Sequence, residues 1–140
     1  MGARLKDEGM VFNYHNHAFE FEDLGGVNGM QVLAAETNPD VVKFNMDVFW
    51  LTIGGENPGE FIRANANRGG YFHFKDGRRL ADGGLEFLEL GAGGVDLKGA
   101  VAAALEVGAE WIVAEQDRTA LPHLESVTIS RKYLRDALGV

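Results

Sequence analysis

The chain has 140 residues, of which 46% are hydrophobic and 24% charged, with a formal net charge of -8 and no cysteine. These values indicate one folded domain over residues 1–140 and exclude wholesale disorder, disulfide bonds and thiolate metal sites. An acidic chain with neither a bilayer-length apolar run nor a signal core is expected to be cytoplasmic, with no nucleic acid and no membrane as partner.

Short apolar runs alternate with helical stretches along the chain. Four runs rich in β-branched and aromatic residues predict strands near residues 10–15, 41–47, 70–75 and 110–115. Capping residues and apolar spacing predict helices over residues 2–9, 29–37, 58–67, 97–107 and 124–138. This alternation predicts βαβ units and therefore a parallel sheet.

The two faces of each predicted strand differ in polarity. Successive strand side chains point to opposite faces, so Phe44 and Met46 share one face and Asn45 and Asp47 the other. The central strands of a doubly wound sheet are apolar on both faces. A barrel instead packs apolar residues outward on helices and gathers polar residues at the carboxyl ends of its strands. The pattern favours a barrel wall, with solvated loop residues as the alternative.

Each predicted strand ends near one ionisable residue, and these residues follow one another by about one βα unit: His15, Asp47, His73 and Glu115. Equivalent positions on barrel strands converge on one point, so we expect these side chains to meet. Two imidazoles and two carboxylates suit a divalent ion such as Mn²⁺, Co²⁺, Zn²⁺, Mg²⁺ or Fe²⁺. Deeper on the inward face, Trp111 and Tyr71 are expected to pack in a core.

Five motifs occur in order along the chain: Tyr14–Phe21 (YHNHAFEF), Met46–Trp50 (MDVFW), His73–Asp76 (HFKD), Glu89–Asp96 (ELGAGGVD) and Glu115–Asp117 (EQD). Together they resemble the sugar phosphate isomerase/epimerase family, of the xylose-isomerase-like, AP endonuclease family 2 TIM-barrel superfamily. The resemblance covers essentially the whole chain. It implies an α/β fold in which the four strands are strands five to eight of a barrel, the carboxy-terminal (βα)₄ half.

The resemblance also implies a ligand set and a reaction. Asp47, His73 and Glu115 correspond to the family's metal ligands on strands six to eight. The strand-five ligand is usually a glutamate; here His15 is the candidate and Glu20 the fallback. The implied activity is a divalent-metal-dependent sugar or sugar phosphate isomerase or epimerase that forms an enediolate, with Glu115 as the base and His15 or Glu20 acting from the opposite side. A related dehydratase or lyase remains an alternative.

Four further residues are candidates for binding the substrate: His17, Trp50, Lys75 and Arg79. Trp50 suits stacking on a sugar face. Lys75 and Arg79 follow the strand-seven histidine and suit a phosphate or a hydroxyl. The alternatives are a solvated loop for Arg79 and a loop hydrogen bond for His17.

Four strands are too few for a closed barrel. They leave two parallel edge strands with unpaired backbone groups. We therefore expect a homodimer or higher oligomer that covers the open edges. The alternatives are a truncated reading frame and a catalytically inactive half-barrel that serves as a binding or assembly subunit.

Overall fold

A computed structural model describes the whole chain, residues 1–140. The strands are β1 (Asn13–His15), β2 (Lys43–Asp47), β3 (Tyr71–Phe74), β4 (Asp76–Arg79), β5 (Leu85–Leu88) and β6 (Trp111–Ala114). The α-helices are α1 (Gly2–Asp7), α2 (Gly29–Glu36), α3 (Val48–Ile53), α4 (Pro58–Ala64), α5 (Leu97–Glu106) and α6 (His123–Tyr133). Two 3₁₀ helices (Phe19–Phe21, Ala66–Arg68) and a π-helical turn (Leu134–Leu138) complete the regular structure.

Strands β1, β2, β3 and β6 form one parallel sheet in that order. The predicted fold class is confirmed: parallel strands alternate with helices, and all four strands lie inside the predicted ranges. Among these four strands, the boundary that differs most from its prediction is the start of β1, whose pairing with β2 begins at Asn13 opposite Lys43. Met10 and Val11, which were predicted to open this strand, are exposed.

The outward face of the sheet carries the core. Phe44, Met46, Phe72 and Phe74 are all fully buried there. They belong to a single cluster of 15 buried residues to which α3, α4 and α5 also contribute. Burying one such side chain is worth about 1.5–3 kcal/mol. This packing holds the strands in register and so fixes where their carboxyl ends lie.

The inward face of the sheet has no covering layer in this chain. Trp111 lies on that face and is 62% exposed, so the expectation that it packs in a core is wrong. Tyr71, next to it in the register, is half-buried. The outer helices cover only the opposite face. The Trp111 indole is therefore exposed because no second layer lies over the inward face in this chain.

A β-hairpin that the sequence did not predict follows β3. Strands β4 and β5 pair antiparallel, with Asp76 opposite Leu88 and Arg79 opposite Leu85. Gly77 is required here because its φ is 156° and a Cβ would overlap the carbonyl oxygen of Glu86. The hairpin brings Phe87 within 5.2 Å of Phe49 in α3, measured between ring centroids. It thereby builds one side of the mouth of the half-barrel.

Candidate metal centre

The carboxyl ends of three neighbouring strands bring His15, Asp47 and His73 together. One potential ligand atom from each lies within 4.8 Å of the other two. The register sets Asp47 directly beside His73. His15 is level with Asn45, and its Nε2 reaches to 3.3 Å from Asp47 Oδ2. Three of the four predicted ligands are thus neighbours in space.

Asp47 is held in place by its own helix and by β1. Its Oδ1 accepts hydrogen bonds from the backbone N–H groups of Phe49 and Trp50, both at 3.0 Å, and so caps α3. The buried Asn16 amide accepts from the Asp47 N–H at 2.9 Å and donates to the Asp47 carbonyl at 3.4 Å. Only Oδ2 remains, and it faces His15. The carboxylate is therefore preorganised to offer one oxygen to a ligand.

His73 has a buried ring nitrogen that lacks a partner. Its Nε2 lies 3.1 Å from the Asn45 Nδ2, while its own Nδ1 and the Asn45 Oδ1 are both buried without hydrogen bonds. Reversing the amide lets Asn45 Oδ1 accept from an Nε2–H, which leaves the Nδ1 lone pair free for ligation. Burial lowers the pKa of His73, and nearby His15 lowers it further, which favours the neutral imidazole that ligation requires. This donor set fits a divalent ion.

Glu115 does not belong to this three-residue cluster, but it is joined to Asp47 through Lys75. Its carboxylate contacts the Lys75 ammonium, which also lies 3.4 Å from Asp47 Oδ2 and 2.8 Å from Asp117 Oδ2. Lys75 is buried. Burial acts to lower the pKa of this ammonium, but the three carboxylates outweigh it and raise the pKa above its ordinary value. Lys75 is therefore a charged residue inside the site.

Glu20, the fallback ligand, also lies outside the cluster. Its two oxygens accept hydrogen bonds from the Tyr14 hydroxyl at 2.7 Å and from the His17 backbone N–H at 2.9 Å. Burial and the Glu20 carboxylate raise the pKa of Tyr14 to about 12. Here Glu20 fixes the loop that follows β1.

An aromatic wall of His17, Trp50 and Phe87 borders the cluster. The His17 ring lies 4.8 Å from His15 and 5.2 Å from Trp50, and the Phe87 ring lies 6.0 Å from Trp50, all between centroids. The Trp50 Nε1 is buried without a partner. Phe87 was missed from the sequence because its hairpin was not predicted; the run Leu85–Leu88 was the signal for a strand.

Arg79 lies outside this cluster, at the exposed end of β4. Its guanidinium donates to the Ile53 carbonyl at 3.3 Å. The opposite end of the same strand is buried at Asp76. The Asp76 carboxylate accepts four backbone N–H bonds, from Gly77, Gly91, Gly93 and Val95. This residue joins the hairpin to the Glu89–Asp96 segment beside the site.

Several solved structures contain a region with the fold of this chain. A sugar phosphate isomerase/epimerase from Parabacteroides distasonis ATCC 8503 aligns with a TM-score of 0.83 and 27% identity over 99% of this chain and 49% of its own. An L-ribulose 3-epimerase aligns at 0.70 and 18% identity over 98% and 50%. A xylose isomerase domain protein from Planctomyces limnophilus aligns at 0.69 and 15% identity over 98% and 49%. No protein-family model and no curated protein matches the sequence.

The chain therefore has the fold of one half of a TIM barrel. The resemblance stated from the motifs is also confirmed, because the similar structures are sugar phosphate isomerase/epimerase and xylose-isomerase-like proteins. The chain spans about half the length of these proteins. No helix in the chain is both long and apolar enough to cross a membrane.

Proposed function

We propose that this chain supplies the metal-binding half of a sugar or sugar phosphate isomerase or epimerase. The observation that carries the proposal is the cluster of His15, Asp47 and His73, whose ligand atoms lie within 4.8 Å of one another at the mouth of a half-barrel. The similar structures include named sugar epimerases, which supports this class of reaction. Mn²⁺, Co²⁺, Zn²⁺, Mg²⁺ and Fe²⁺ are the candidate ions.

His15, Asp47 and His73 would hold the ion, with Glu115 as the candidate fourth ligand. An ion held there would supply Lewis-acid polarisation of a ketose carbonyl and compensation of the negative charge that develops on its oxygen. Glu115 is the proposed base: its carboxylate takes the proton from the carbon next to the carbonyl. For isomerisation it returns the proton to the neighbouring carbon on the same face, whereas for epimerisation a group on the other side of the substrate donates a proton to the opposite face. A positioned base of this kind contributes a factor of about 10²–10⁴. His15 serves the opposite face of the substrate, and Glu20 holds the loop that bears His17.

The aromatic wall is the proposed sugar-binding surface. Trp50 offers a ring for stacking, and its unpartnered Nε1 is a hydrogen-bond donor for a hydroxyl. Lys75 is buried among carboxylates, so it contacts the substrate only if its ion pairs rearrange when the substrate binds. Arg79 is an exposed cation at the end of β4 and is the proposed partner of a phosphate.

Metal binding is tested with the purified chain by measuring Mn²⁺ affinity and the metal-induced rise in melting temperature. We expect Asp47→Asn and His73→Ala to lose both. His123→Ala is the matched control because His123 lies at the start of α6, outside the cluster. Loss of binding in the control variant, or retention in both cluster variants, would contradict the proposed centre.

Catalysis is tested by proton exchange, which reports the enediolate whichever product forms. The chain is incubated with a ketose and Mn²⁺ in D₂O, and ¹H NMR follows the signal of the hydrogen on the carbon next to the carbonyl. We expect deuterium incorporation that Glu115→Gln abolishes. A related dehydratase or lyase would in addition lose the β-hydroxyl as water and give a new carbonyl product.

A catalytically inactive half-barrel is the second candidate, because the parallel sheet has four strands, which are too few to close a barrel. Metal binding without any exchange, across ketoses and their phosphates, would establish it.

We also propose that two copies close the barrel. Strands β1 and β6 each have one neighbour and lie at opposite edges of the parallel sheet. A twofold axis along the barrel sets β6 beside the partner's β1 with the strands parallel, and it covers the exposed Trp111. Sedimentation across micromolar concentrations tests this proposal: a sharp monomer throughout would refute it.

A further inference from the structure

We infer that Lys75 is a resident cation that shares Asp47 with the divalent ion and thereby sets the metal affinity of the centre. The inference rests on the proposed function, since it needs an ion at the His15, Asp47 and His73 cluster. It goes further by giving a role to a lysine that the sequence assigned to the substrate.

Lys75 occupies a position built for a positive charge. Its side chain is only 2% exposed. The ammonium lies 2.8 Å from Asp117 Oδ2, contacts the Glu115 carboxylate, and sits 5.3 Å from the centroid of the Trp50 ring. A buried ammonium persists only where opposite charges compensate its lost hydration. Three carboxylates and a ring face provide that compensation here.

The ammonium and the ion compete for the same oxygen. Asp47 Oδ1 is engaged by the two N–H groups at the start of α3, so Oδ2 is the one available. That oxygen lies 3.3 Å from His15 Nε2 and 3.4 Å from Lys75 Nζ. An ion held by Oδ2 would share it with a like charge, and the repulsion would be strong because the Lys75 and Asp47 side chains are both buried.

Charge balance indicates that both cations can nevertheless be held. Asp47, Glu115 and Asp117 carry three negative charges, and Lys75 neutralises one of them. The two remaining charges match a divalent ion. Glu115 and Asp117 are the more exposed carboxylates, with side chains 26% and 40% exposed. When an ion takes Asp47 Oδ2, the Lys75 ammonium can retain its contacts with Glu115 and Asp117. Lys75 then holds Glu115 next to the occupied centre.

The test compares Mn²⁺ affinity, measured by calorimetry, in the wild-type chain, Lys75→Met and Lys43→Met. Methionine keeps the length and apolar packing of lysine without its charge. Lys43→Met is the matched control because Lys43 lies on the same face of β2 as Asp47, but its ammonium donates to the Asn67 carbonyl and not to a carboxylate of the site. We expect Lys75→Met to bind Mn²⁺ about 10- to 100-fold more tightly than wild type, and Lys43→Met to stay within about twofold.

Equal or weaker Mn²⁺ binding in Lys75→Met than in wild type would overturn the inference while leaving the proposed centre intact. Absence of Mn²⁺ binding in every chain would overturn the proposed centre itself. If Lys75→Met is unfolded in chelator, circular dichroism during a Mn²⁺ titration supplies the affinity, because ion binding then drives folding. Failure of Mn²⁺ to restore the fold in that case contradicts the inference.

Discussion

The four-fold backbone bonding of Asp76 makes a sharp prediction about stability. Its Oδ1 accepts from the N–H groups of Gly77 and Val95 at 2.8 and 3.2 Å, and its Oδ2 from those of Gly91 and Gly93 at 2.9 and 3.0 Å. In Asp76→Asn one oxygen becomes an NH₂ group. Whichever way the amide turns, that group faces two N–H donors in a buried site.

The cost follows from this count. A hydrogen bond to a charged group contributes about 1.5–3 kcal/mol, and a buried donor left without a partner costs a similar amount. Losing two of the four bonds therefore lowers the free energy of unfolding by about 3–6 kcal/mol. This is a large part of the roughly 5–15 kcal/mol that holds an ordinary domain together.

Urea unfolding followed by circular dichroism measures the effect, with Asp82→Asn as the matched control. Asp82 is exposed and accepts one bond, from the Gly84 N–H at 2.9 Å, which an asparagine oxygen can keep. We expect the control to change stability by less than about 1 kcal/mol. For Asp76→Asn the midpoint should fall by about 2 M. If the two variants unfold at the same urea concentration, the reasoning about Asp76 is wrong.

Three further predictions follow from the same structure. Trp111→Glu should shift sedimentation toward monomer, because it places a charge on the exposed inward indole position that the proposed dimer buries; an unchanged sedimentation coefficient would count against that dimer. Asn45→Leu should weaken Mn²⁺ binding about 10- to 100-fold in calorimetry, because it removes the amide that orients His73; unaltered affinity would show that the amide has no such role. The Thr119 hydroxyl holds the pKa of Glu89 below its ordinary 4.5, so Glu89 adds stability above about pH 4.5 that is lost as the pH falls through its folded pKa. Glu89→Gln should thus be less stable than wild type at pH 6 in thermal melts, and the difference should shrink steadily as the pH is lowered below about 4.5. A difference that did not change with pH would contradict this assignment.

The alternation of polarity along the strands predicted the architecture well. Phe44 and Met46 are buried on the helix side, as expected, whereas Asn45 and Asp47 lie on the inward side. The prediction succeeded because successive side chains of a strand point to opposite faces of the sheet, so the alternation of apolar and polar residues along a short stretch shows which face is buried. The meeting of Asp47 and His73 was also predictable, because parallel strands that share a register bring their carboxyl ends together.

The parts that the sequence did not predict depend on long-range partners. The hairpin was missed because β4 consists of Asp76-Gly77-Arg78-Arg79, a polar stretch typical of a loop. Only its pairing with β5 makes it a strand. The ion pairs of Lys75 were missed for a similar reason. A long side chain reaches carboxylates on two neighbouring strands, and no spacing along the chain specifies which ones.

The two edges of the sheet have a consequence for stoichiometry. A barrel completed by twofold symmetry from identical halves contains every strand end twice. It would therefore carry a pair of equivalent His15, Asp47 and His73 clusters facing each other across one opening, and two ions per assembly. A barrel completed by a different chain would carry one. Counting bound manganese per particle thus distinguishes how the ring is assembled.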